Sequence, residues 1–256
     1  MPSQDPDELW SLRNQYYVGA YDAVFTEAAS ARIDDSDTAS LAERDLFVQL
    51  ANLGKGQPIE PTPHTGAEFT ALEHLNALMQ GEGEEEEELG ALKKLVEEDA
   101  KGSARLRVIA GIAFAKFASD PNDALRILHG ASKSLEALHL SCSIYLSMDR
   151  PDLAKKTFDQ MEAIDEDSTL TQLSGAWIAL ASGTERGLKD AAYTLDELIG
   201  KWQATPMLVG ALSCALIHQG KFAEAERLIS SSGVSTADLL VNQIVAAQHE
   251  GRRLDE

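Results

Sequence analysis

The residues best suited to chemistry lie in the stretch MEAIDEDSTLTQLSGAW, 161–177, where Asp165, Glu166 and Asp167 are followed by Ser168, Thr169 and Thr171. Oxygen-rich runs of this kind hold calcium when ligands alternate around a glycine turn and end on a chelating glutamate. A loop starting at Asp165 places Thr169 at its fifth position, Leu170 at the sixth and Ala176 at the twelfth. A leucine cannot make the sharp turn and an alanine cannot chelate, so the calcium reading fails. The alternative is a helix start. Thr169 as N-cap with Gln172 three residues on has capping-box spacing, and the preceding acids suit the positive end of a helix dipole.

Other chemistry is sparse. His64, His74, His129, His139, His218 and His249 include no pair flanking a glutamate at zinc spacing, and none joins Cys142 or Cys214 in a zinc motif. The GKG and GEG runs lack the Gly-Lys-Ser/Thr element that cradles phosphate, and no serine occupies a Gly-x-Ser-x-Gly elbow. The expectation is a protein without catalytic, cofactor or metal site. Both cysteines fall in helical patterns and read as small core residues in a reducing compartment.

The elements that position these residues are helical throughout. At 256 residues, 44% hydrophobic and 25% charged, the chain has the composition of a soluble globular protein. A net charge of −20 repels phosphate backbones and anionic lipid, so neither nucleic acid nor direct membrane binding is expected. The acidic start MPSQDPDELW lacks the parts of a signal peptide, and VIAGIAFAKFA is too short to span a bilayer, which predicts a cytoplasmic protein.

Within this background one pattern recurs. FASDPNDALRIL, LSMDRPDLAKKTF, TERGLKDAAYTL and IHQGKFAEAERLI each carry a polar turn, then an alanine four residues before a large apolar residue. The pairs are Ala124 with Leu128, Ala154 with Phe158, Ala191 with Leu195 and Ala225 with Ile229. The alanines are separated by 30, 37 and 34 residues, close to the ~34-residue tetratricopeptide period. A small residue is needed where two antiparallel helices cross closely, and the large one is expected to fill the gap towards the next repeat. YYVGAYDAVFTEAA reads as a looser copy with Val24 at the small position, and TADLLVNQIVAAQHE starts a final helix.

The fold class is therefore all-α, a tetratricopeptide-like right-handed superhelical solenoid of antiparallel helix pairs, read as a single domain over 1–256. Residues 52–105 diverge from the repeat. LGKGQPIEPTPHTG reads as a loop, and GEGEEEEELG as a solvated turn running into a helix N-terminus.

A solenoid's binding surface is the groove lined by the first helix of each pair. The repeat register places there Leu106 and Ile109, His139 and Leu146, then Leu170, Leu173, Trp177 and Leu180, and finally Met207 and Ile217. Exposed together, these apolar residues form an interaction site with Trp177 as its anchor. Repeats that clamp a terminal carboxylate for a chaperone carry lysines and asparagines instead, and only Lys116 suits that part. A co-chaperone or adaptor of another cytosolic complex is the alternative reading.

DELWSLRNQYYVGAYDAVFTEA, AERDLFVQ, DPNDALRILHG, MDRPDLAKKTFDQMEAIDEDSTLTQLSGAWIALASG, DAAYTLDEL and LVNQIVAAQHEG together resemble the epsilon subunit family of coatomer, the COPI vesicle coat. The long central stretch is the specific one, since no generic repeat consensus demands DEDSTLTQL followed by AW; residues 52–105 match poorly. The resemblance implies a non-catalytic coat subunit that curls around the C-terminal domain of the alpha subunit. The coat, recruited to Golgi membranes by a small GTPase, would serve Golgi-to-ER and intra-Golgi vesicle transport, and this chain would reach the membrane only through other subunits. Family chains normally continue past QHEG, so apolar surface is expected near Leu240, Ile244 and Val245.

Overall fold

A computed structural model of the chain describes residues 7–251. Among these every regular element is an α-helix. Two compact units are present, residues 1–144 and 145–256.

The first unit begins with α1 (Trp10–Tyr17), α2 (Tyr21–Ser30) and α3 (Thr38–Gly54). It continues through α4 (Ala67–Gln80), α5 (Glu85–Glu98), α6 (Ala104–Phe117) and α7 (Pro121–His129). The boundary between units falls within α8 (Leu135–Ser147). The second unit holds α9 (Pro151–Ile164), α10 (Thr169–Ser182), α11 (Glu185–Lys201), α12 (Pro206–His218), α13 (Phe222–Ser232) and α14 (Ala237–His249).

Local chemistry sets the helix limits. Asp37, Ser103, Thr184, Thr205 and Thr236 each accept a first-turn amide through the side chain, satisfying donors that a helix start leaves open. Pro121, Pro151 and Pro206 occupy first-turn positions where no amide is needed. Gly81, Gly183 and Gly233 end helices in the left-handed conformation. The glutamate run behaves as its composition predicts: Glu84 precedes α5, and Glu85 to Glu88 form its acidic first turn.

Successive helices pack on one another in the predicted helix–turn–helix manner, α6 on α7, α10 on α11 and α12 on α13. Ala124, Ala191 and Ala225, on the second helix of each of these pairs, are buried, as are Ala154 on α9 and Val24 on α2. Phe158 reaches forward to the next helix, its ring lying 3.1 Å from where a Cβ on Gly175 of α10 would sit. Leu128 does the opposite. It packs back over Gly111 on the preceding helix α6, which corrects the expectation that every large residue faces the following repeat. Gly111 leaves a hollow on α6, and a buried leucine fills it.

The N-terminal end of the first unit is tied by a polar and aromatic knot. Glu43 on α3 accepts from Arg13 on α1 at 2.9 Å and from Arg105 on α6 at 2.7 Å. The Arg105 guanidinium lies 5.4 Å from the Phe47 ring, and Tyr16 and Tyr17 pack edge-on to the same ring. Tyr17 donates to Glu136 on α8. One carboxylate shared by two arginines, over a buried aromatic, ties three helices that are not consecutive.

Candidate functional site

The acidic stretch of residues 161–177 starts a helix, one residue earlier than the capping box implies. Ser168 is the N-cap and Thr169 is already the first helical residue, buried. Thr171 Oγ1 donates to the Asp165 carbonyl at 2.8 Å, and the Asp167 amide donates to Asp165 Oδ1 at 3.0 Å. The turn is therefore fastened by Thr171 and Asp165 rather than by a Thr169–Gln172 box. Among the described residues no cluster of His, Cys, Asp and Glu has the arrangement of a metal site.

The ten groove residues divide by burial. Leu106 and Ile109 on α6, and Leu170 and Leu173 on α10, are buried between helices and belong to the core. This part of the register is corrected: Leu170, Leu173, Trp177 and Leu180 share one face of α10 at 100° per residue, and burial divides them along the helix, the first two buried and the last two half-buried. An aspartate at Leu173 would unfold the helix pair rather than probe a surface. His139 and Leu146 on α8, Trp177 and Leu180 on α10 and Ile217 on α12 are half-buried, and Met207 on α12 is 38% exposed.

Trp177 and Leu180 stand one turn apart on α10, so their side chains share a face. Gly175 lies roughly 200° around the helix from Trp177 at 100° per residue. The Phe158 ring covers that Gly175 side, where α9 packs. Trp177 and Leu180 thus lie on the side of α10 away from α9 and are half-buried there.

On α12, Gly210 looks towards α14. Its carbonyl accepts from Asn242 Nδ2 at 3.2 Å, and the same amide donates to Ser213 Oγ at 2.9 Å. With Asn242 and buried Leu239 turned inward, α14 leaves Leu240 50%, Val241 57% and Ile244 41% exposed. Leu240 and Ile244 are exposed as expected, while Val245 is half-buried and Val241 takes its place.

The remaining ionisable groups have structural surroundings. Burial pushes the Cys214 thiol up, which favours its protonated form. Cys142 is buried. His64 Nε2 is 2.8 Å from Asp45 Oδ2, His74 Nδ1 is 2.5 Å from Glu88 Oε2, and His249 stacks on Phe222. Burial and the Glu136 carboxylate raise Tyr17 far above its ordinary value. These groups fasten helices and loops to one another.

A set that the sequence did not reveal is Gln49 on α3 and Asn76 on α4, whose side chains hold the backbone of the loop after α3. Side-chain grips on backbone amides carry no spacing motif, and the partners lie in separate helices.

Comparison with known proteins adds the family. The sequence model described as coatomer epsilon subunit matches residues 5–256. A coatomer subunit epsilon-2 from Oryza sativa subsp. japonica is 34% identical, covering 96% of this chain and 86% of that protein. A coatomer subunit epsilon-1 from Arabidopsis thaliana is 30% identical, covering 96% and 85%. A coatomer subunit epsilon from Caenorhabditis elegans is 28% identical over 94% of this chain and 84% of that one. The crystal structure of a tetratricopeptide repeat protein from Parabacteroides merdae superposes with a TM-score of 0.59 at 15% identity, covering 91% of this chain and 87% of its own. That likeness shows the tetratricopeptide-like fold. A family match that starts at residue 5 and runs through every helix of both units leaves one assignment: the chain belongs to the coatomer epsilon subunit family.

Proposed function

We propose that this chain is a non-catalytic subunit of the COPI coat, joined to the other coatomer subunits through its helical repeats and binding the C-terminal domain of the alpha subunit. The observation that carries the reading is the family match over residues 5–256. The face of α10 bearing Trp177 and Leu180, with Met207 and Ile217 on α12, supplies the contact. Half-buried aromatic and aliphatic side chains are the groups that anchor protein interfaces once a partner removes their remaining water.

The wider role is vesicle transport from Golgi to ER and within the Golgi, at the cytoplasmic face of the membrane. Among the described residues no helix is long and apolar enough to cross a bilayer. The chain's strong negative charge opposes direct docking on anionic lipid, so membrane attachment comes through the rest of the coat.

Co-purification tests this reading. The full chain, mixed with the alpha subunit's C-terminal domain, is expected to elute as a stoichiometric complex by size exclusion with light scattering. Separate elution at micromolar concentrations, or recovery from cytosol only with a chaperone, would overturn it.

A further inference from the structure

We draw no further inference here: the strongest candidate, the apolar outer face of α14 bearing Leu240, Val241 and Ile244, carries none, because nothing in the structure shows what covers it.

Discussion

Leu128 on α7 fills the space that a side chain on Gly111 of α6 would need: a Cβ there would lie 2.7 Å from Leu128 Cδ2 and 2.9 Å from its Cγ. Leu128 is itself buried, so it cannot swing aside. In an open helix, Gly→Ala stabilises by about 1 kcal/mol. Here overpacking of about 1–3 kcal/mol outweighs that gain. Gly111→Ala is expected to lower the denaturant midpoint, whereas Gly200→Ala on α11, where nothing lies within 4 Å, is expected to raise it. If both variants moved in the same direction, the close approach of α6 and α7 would not be what keeps residue 111 small.

The capping register gives a second paired prediction. Thr205 Oγ1 accepts the Leu208 amide at 3.3 Å at a buried helix start, while the Ser168 side chain makes no such bond to α10. Thr205→Ala should cost about 1 kcal/mol by chemical denaturation, and Ser168→Ala a few tenths at most. Equal losses in the two would mean that the Ser168 side chain also bonds the first turn of α10.

These two cases show where the sequence was readable. The alternation of small and large residues at near-constant spacing identified the helix crossings because close packing leaves only one size of side chain at Ala124, Ala154, Ala191 and Ala225. The cap of α10 was misplaced by one residue because Ser168, Thr169 and Thr171 all offer hydroxyls within one turn, and spacing alone does not rank them. The surface register was harder still. Leu170, Leu173, Trp177 and Leu180 all look alike on a helix that is apolar nearly all round, yet two are core and two are half-buried. The four share one face of the helix, so periodicity cannot separate them; how deeply each turn of that face is covered depends on packing between helices that no local pattern specifies.

That division yields a third prediction. Leu173→Ala should remove core packing and cost about 2–5 kcal/mol of stability. Trp177→Ala should cost less stability but weaken binding to the alpha subunit's C-terminal domain by about 2 kcal/mol or more. The two quantities are read separately, by urea unfolding and by calorimetric titration. A Trp177→Ala variant that binds at full strength would move the proposed contact off this face of α10.

The aromatic knot of the first unit predicts an alkaline limit. Burial raises Tyr16, Tyr17 and Tyr21 above the ordinary tyrosine value, with the Glu136 carboxylate adding to the effect on Tyr16 and Tyr17. The unfolded chain releases these protons near pH ~10, whereas the folded chain holds them. The folded state then binds more protons, so its advantage is intact below pH ~10 and declines as pH rises further. Tyr193 is also raised, by its bond to Glu197, but it is exposed and can ionise without unfolding. A spectrophotometric titration should therefore show the exposed Tyr193 ionising smoothly, followed by a steep release coinciding with loss of helical circular dichroism. In urea the steep phase should merge with the first. Should Tyr16, Tyr17 and Tyr21 titrate smoothly around pH ~10 in the folded protein, the packing of Tyr16 and Tyr17 against Phe47 would be looser than their edge-on contacts with its ring require.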